Sequence, residues 1–91
     1  MDTKANIVPS TRQIAERGEA IYKQKYAQKL EAAEPGKFVA INIRTEEATI
    51  SETAEAAVRL AMEKDPSGFF HLIRIGKEGA IEAGWYMSHA R

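Results

Sequence analysis

The chain has no cysteine among its 91 residues. This absence excludes disulfide bonds, thiolate metal ligands and cysteine nucleophiles. Small secreted domains usually depend on disulfides, so a cysteine-free chain of this size favours the cytoplasm. The first residues lead into no apolar segment, and no apolar run approaches the roughly 20 residues that a transmembrane helix requires. We therefore expect a soluble cytoplasmic protein that has no secretory signal and does not associate with membranes.

An excess of charge of either sign is also missing. The chain holds 13 basic and 13 acidic residues, so its formal net charge is zero. The charges are segregated, because bases dominate residues 4–29 and acids dominate residues 31–65. Overall neutrality argues against a protein dedicated to nucleic acid. A hydrophobic fraction of 44% is enough for a core, and a chain this short has room for only one.

The first third of the chain predicts a tail followed by a helix. Residues 1–9 show no period and are expected to be flexible. Ser10 or Thr11 can cap the helix that follows. A helical stripe then recurs at intervals of four, at Ile14, Gly18, Tyr22, Tyr26 and Leu30. Pro35-Gly36 is a strong stop signal, so the helix is expected to end near Ala33.

The remainder predicts two β-hairpins separated by a second helix. Residues 37–43 and the short segment 48–50 are the strands of the first hairpin. Ser51 is the predicted N-cap of a helix that ends at about Lys64. Its apolar face consists of Ala54, Ala57, Val58, Ala61 and Met62. Residues 69–75 and 81–87 form the second hairpin, and the last four residues are expected to fray.

This element order, α-β-β-α-β-β, predicts an α+β fold in a single domain over residues 10–87. We expect one four-stranded sheet, mixed or antiparallel, with helices on its faces and the first and third strands in its centre. Both faces of those strands are apolar, so the sheet needs two covers. The first helix must therefore cover one face, either in its own chain or exchanged with a neighbour. If the first helix is exchanged with a neighbour, we expect a homodimer or a complex with a partner protein.

No motif carries a chemistry of its own. His71 lies in the middle of an apolar strand and is expected to be structural, because no sequence spacing gives it a catalytic partner. His89 lies in the expected frayed end. No spacing of histidines and carboxylates is typical of a metal site. We predict no catalytic residue, no cofactor and no metal.

Three short motifs resemble a group of small uncharacterised bacterial proteins. They are Gly36-Lys37-Phe38-Val39-Ala40-Ile41, the Ala/Glu-rich second helix, and Arg74-Ile75-Gly76. The similarity extends to the upstream Ile21-Tyr22-Lys23-Gln24-Lys25 and to a short closing strand, and covers roughly residues 12–86. It implies a bacterial cytoplasmic origin and a function like that of a small antitoxin or accessory protein that binds another protein. It supplies no activity and no functional residue.

The favoured function is a small, non-enzymatic, intracellular protein-interaction module, antitoxin-like or accessory. It would act through exposed sheet edges and the first helix, on another protein or on a second copy of itself. Aromatic side chains with a polar tip suit such contacts. The predicted contact residues are Tyr22, Tyr26, Trp85 and Tyr86.

Two alternatives from other classes stay open. The first is a nucleic-acid-associated regulator that uses the basic residues of the first helix. These are Arg12, Arg17, Lys23, Lys25 and Lys29. The second, and the least favoured, is a small enzyme acting through His71 and Arg74.

Overall fold

The computed structural model describes residues 8–76 and, by their backbone alone, residues 81–87. Most of the expected tail and the whole of the expected frayed end therefore lie outside the described residues. The elements, in chain order, are α1 (Thr11–Ile21), a π-helical turn (Tyr22–Tyr26), α2 (Ala27–Ala33), β1 (Phe38–Asn42), β2 (Ala48–Ser51), α3 (Ala54–Lys64), β3 (Phe69–Arg74) and β4 (Ile81–Met87).

The first three elements follow one another without a break, and we call them together the N-terminal helix. Ser10 is its cap: the Ser10 hydroxyl accepts from the Gln13 amide, and the Gln13 side chain accepts from the Ser10 amide. This reciprocal pair satisfies two of the donors that a helix start leaves unpaired. The predicted cap and the predicted end at Ala33 are confirmed. The π-helical turn in the middle was not predicted.

The sheet prediction needs correction. The structure describes side chains for three strands of the sheet, in the order β2-β1-β3. β1 pairs antiparallel with β2 and with β3. β4 is described by its backbone alone, which pairs antiparallel with β3. A four-stranded sheet, mixed or antiparallel, was expected. A mixed sheet would contain at least one parallel pair of neighbouring strands, but each described pairing is antiparallel. β2 and β3 run parallel to each other without being neighbours, because β1 lies between them and the connection through α3 crosses over it.

Two helices cover the two faces of the sheet. The N-terminal helix packs on one face, where Ile21, Tyr22 and Leu30 meet a larger apolar group of the strands: Val39, Ile41, Ile73 and Ile75. α3 packs on the other face through its small residues, against Ala40, Phe70 and Leu72. The expectation that the first helix covers the sheet is confirmed, and it does so within its own chain.

α3 begins later than predicted. β2 extends through Ser51, and the cap is Thr53, whose hydroxyl accepts from the Ala56 amide at 3.1 Å. Ser51 is therefore not the N-cap, because pairing with Phe38 keeps its backbone extended. The end of the helix at Lys64 agrees with the prediction.

Candidate functional site

β2 is an edge strand of the described sheet, and its outer backbone groups can be assigned. The Asn42 amide donates to the Glu47 carbonyl at 2.9 Å, so Asn42 and Glu47 are a hydrogen-bonded pair of β1 and β2. Hydrogen-bonded and non-hydrogen-bonded pairs alternate along antiparallel strands. The backbone groups of Thr49 and Ser51 therefore bond inward to β1. Ala48 and Ile50 lie between them and point their amides and carbonyls outward. No described strand pairs with that side of β2.

Partly buried apolar side chains flank this edge on the side of the N-terminal helix. They pack against the core without being buried in it, and they are Tyr26, Ala27, Ile43, Ala48 and Ile50. All of them lie on one face of the β1–β2 hairpin or on the helix above it. An extended segment beside β2 would cover part of this surface.

Leu60 supplies apolar surface on the opposite face. It is half-exposed and belongs to neither core cluster of the described residues. Residues four apart share one face of a helix, so Leu60 lies on the same side of α3 as Lys64. The Lys64 ammonium donates to the Thr49 hydroxyl at 3.3 Å. Leu60 therefore faces β2, and the edge has apolar side chains on both faces.

Glu46 links the N-terminal helix to the turn that precedes β2. Its carboxylate accepts from Arg17 and from Lys25, both at 3.1 Å, and its carbonyl accepts from the Tyr26 hydroxyl at 2.7 Å. Its backbone has φ 69°, in the left-handed region that favours glycine. These three bonds hold the turn in a conformation that its own sequence disfavours, and so they position β2.

A second polar group joins the same turn to the end of α3. Asn42 donates to Asp65 at 2.8 Å, and its side-chain oxygen accepts from the Arg44 amide. Arg44 forms an ion pair with Asp65. The hydrogen bond from Asn42, followed by that from Arg44, lowers the pKa of Asp65 below its ordinary value.

His71 and Glu19 form the one imidazole–carboxylate pair of the described residues. His71 is completely buried on the N-terminal-helix face of β3, and its Nε2 lies 3.0 Å from Glu19 Oε2. Its Nδ1 is buried without a hydrogen-bond partner. Burial leaves no room for a substrate at the ring, so the pair supports the structural role expected for His71.

The predicted contact residues have different environments. Tyr22 is 1% exposed and donates to Glu31 at 3.1 Å. Burial, and then this bond to a carboxylate, raise the pKa of Tyr22 above its ordinary value. Tyr26 is half-exposed beside β2. Trp85 and Tyr86 belong to β4, whose side chains lie outside the described residues. Their role in binding a partner stays a prediction.

The five basic residues of the nucleic-acid alternative are all exposed. Arg17 and Lys25 are already paired with Glu46. The π-helical turn and α2 line a depression of about 350 Å³. Its lining consists of Lys23, Gln24, Lys25, Tyr26, Gln28 and Lys29.

The two residues of the enzyme alternative are not brought together. His71 is buried under the N-terminal helix, whereas Arg74 is exposed and lies over the Phe38 ring on the α3 side. Residues an odd number apart in a strand lie on opposite faces, which explains the separation. His89 lies outside the described residues. Over the part of the chain that the structure describes, no cluster of His, Asp or Glu side chains could hold a metal ion.

Sequence reasoning missed the outward-facing pair Ala48 and Ile50, and it did not recognise Leu60 as part of a site. Two signals were present: the second strand is unusually short, and Leu60 lies off the apolar stripe of its helix.

Within the described residues, no helix combines the length and the apolar character needed to cross a bilayer. Comparison with known protein families, curated proteins and solved structures finds no match for this chain. The resemblance to small bacterial proteins therefore stays a prediction.

Proposed function

We propose that this protein is a non-enzymatic protein-interaction module that binds an extended segment of its partner along β2. The observation that carries the proposal is the outward-facing backbone of Ala48 and Ile50, which no described strand pairs with, flanked by partly buried apolar side chains on both faces. Strand addition to a sheet edge is a common mode of peptide recognition, in which main-chain bonds give affinity and alternate side chains give specificity. The partner segment is expected to alternate apolar and polar residues.

The turn before β2 supports this role. The hydrogen bond from the Tyr26 hydroxyl to the Glu46 carbonyl, and the bond from Asn42 to Asp65 at the end of α3, hold the turn in place before any partner arrives. A preformed edge loses little conformational entropy on binding. Within this proposal the protein is cytoplasmic and antitoxin-like or accessory, as its resemblance to small bacterial proteins implies.

The test is hydrogen exchange at the Ala48 and Ile50 amides of the full chain, followed by NMR. It is run over a range of chain concentrations and with each purified product of the genes adjacent to its own. Strand addition protects both amides, because it gives each one a carbonyl acceptor. If neither amide is protected under any condition, strand addition at β2 is excluded.

A matched pair of variants tests the surface. Ile50→Lys places a charge at the edge, which natural sheets use to prevent pairing, and is expected to weaken the protecting interaction about tenfold or more. Ala33→Lys makes the same kind of change at an exposed position at the end of α2 and should leave the interaction unchanged. Equal effects of the two substitutions would contradict the proposal.

The basic depression favours a second candidate, an interaction with nucleic acid through Lys23, Lys25 and Lys29. Phosphate contacts strengthen as salt falls, so binding of duplex DNA should appear at about 50 mM salt and weaken steeply above it. Fluorescence anisotropy with a labelled duplex measures this. Absence of binding at low salt would eliminate the candidate.

A further inference from the structure

We infer that the extended segment taken up by this edge is β2 of a second copy of the chain, paired antiparallel about a twofold axis at Thr49. This inference rests on the proposed function and goes further by naming the partner and the register. The register makes Ala48 oppose Ile50 of the partner copy, and Thr49 oppose its own equivalent.

The hydrogen-bonding groups of the edge are self-complementary in this register. Ala48 and Ile50 are the outward-facing residues, and they lie symmetrically on either side of Thr49. When they oppose each other across a twofold axis, each copy donates two amides and accepts at two carbonyls. The outward amides and carbonyls of all four residues, two from each copy, are then hydrogen-bonded, and none is left unpaired at the centre of the interface.

The side chains also match under the same symmetry. On the face of the N-terminal helix, the large Ile50 opposes the small Ala48 of the partner copy, and such cross-strand apolar pairs stabilise sheets. On the other face, Leu60 of each copy is partly buried and lies on the same side of α3 as Lys64, which contacts Thr49 of β2. Pairing of the two β2 strands therefore places apolar side chains of one copy beside those of the other on both faces of the sheet.

The charges beside the axis balance. The Lys64 ammonium lies 3.3 Å from the Thr49 hydroxyl and 3.6 Å from the Glu47 carboxylate. A twofold axis at Thr49 therefore gathers two ammonium groups and two carboxylates, whose net charge is zero. A partner segment that lacks this arrangement would leave Lys64 and Glu47 beside unrelated charges. The closed symmetry also prevents growth into a filament.

The absence of cysteine makes the register testable by a single substitution. In this register the two Thr49 residues form a non-hydrogen-bonded pair with Cα atoms about 4.5 Å apart, within reach of a disulfide. Thr49→Cys is therefore expected to give a covalent dimer on mild oxidation. Ser51→Cys is the matched control on the same strand, because its two Cα atoms would be roughly 13 Å apart, far beyond disulfide reach.

Analytical ultracentrifugation of the full chain completes the test. The unmodified chain and Ala33→Lys are expected to dimerise, while Ile50→Lys lowers the association constant about tenfold or more, because two lysines then face the axis. A dimer that Ile50→Lys leaves intact, or a Ser51→Cys chain that cross-links as readily as Thr49→Cys, overturns the inference. If Ile50→Lys fails to fold by circular dichroism, the cysteine pair still decides.

Failure of this inference is distinguishable from failure of the proposed function. A chain that stays monomeric and forms no Thr49→Cys cross-link, while another protein protects the Ala48 and Ile50 amides, overturns self-pairing and leaves strand addition intact. A monomer whose two amides nothing protects overturns both. Protection that rises with the concentration of the chain alone supports both.

Discussion

Gly18 of the N-terminal helix lies directly against His71 of β3. A Cβ atom placed on Gly18 would be 2.3 Å from Cβ of His71 and 2.6 Å from its Cγ. The absence of a side chain at this position lets the helix approach the sheet closely. The same approach brings the neighbouring Glu19 within hydrogen-bonding distance of the His71 ring.

Gly18→Ala is expected to destabilise the protein. Alanine favours a helix over glycine by about 1 kcal/mol, but the contact is with a Cβ fixed to the strand backbone, which no rotamer change can relieve. Overpacking of this kind costs about 1–3 kcal/mol, so after the helix gain the net loss in unfolding free energy should be at most about 2 kcal/mol. Denaturant titration measures it. Ala20→Gly, at an exposed position two residues further along the helix, measures the stability difference between alanine and glycine in this helix without the contact. If Gly18→Ala stabilises the protein, the close approach of the helix to His71 is contradicted.

Glu19→Ala should cost more stability than His71→Leu. Removing Glu19 leaves a buried ring with neither nitrogen bonded, and an unsatisfied buried polar group costs about 1–3 kcal/mol. Replacing His71 by leucine removes both nitrogens, one of which is already unpaired, and leaves Glu19 partly exposed to water. We expect His71→Leu to change the unfolding free energy by less than about 1 kcal/mol. The reverse order in thermal or chemical unfolding would show that the histidine stabilises the fold through an interaction other than this pair.

Glu46→Gly should be more stable than Glu46→Ala by about 0.5–1 kcal/mol. Both substitutions remove the ion pairs to Arg17 and Lys25, which are exposed and contribute little. Only glycine also relieves the left-handed backbone, a gain that exceeds its larger entropy in the unfolded chain. Chemical unfolding of the two variants side by side isolates the backbone contribution. Equal stabilities would mean that the turn relaxes when the carboxylate is lost.

The contribution of Asp65 to stability should depend on pH. The folded state lowers its pKa, so its stabilising effect is fully present above the pKa of the unfolded chain, about 4, and is lost as the pH falls through the lower folded value. Asp65→Asn should therefore be less stable than the unmodified chain at pH 7, and the difference should shrink at acidic pH. Urea unfolding from pH 7 down to about 2 measures it.

Glu63→Gln is the control for this pH dependence. Glu63 is an exposed carboxylate in the last turn of α3, two residues before Asp65, and it has no ion pair among the residues that the structure describes. Its substitution should leave the pH profile of stability unchanged. A profile that moves as much as that of Asp65→Asn would mean that net charge, and not the bonds from Asn42 and Arg44, sets the dependence.

The element order could be predicted because each element depends on local signals. The Ser10 cap, the stripe from Ile14 to Leu30 and the Pro35-Gly36 stop define the N-terminal helix through its own backbone and its own spacing. The boundary at Ser51 could not be predicted, because serine is a favoured helix cap and nothing in the local sequence shows that β2 extends through it. Pairing with Phe38 of β1, 13 residues earlier in the chain, keeps Ser51 in the strand.

By itself, the sequence determined that the chain is α+β, which faces of its strands are apolar, and that the first helix must cover one of them, because periodicity reports which residues avoid water. Only the tertiary structure decided that the described strand pairings are all antiparallel, that Gly18 contacts His71, and that the amides and carbonyls of Ala48 and Ile50 face outward. These features depend on strand direction, on how the helix packs against the sheet, and on which residues of β1 and β2 are hydrogen-bonded to each other. Which side of a strand a backbone amide faces does not depend on the residue type, so neither composition nor spacing reveals it.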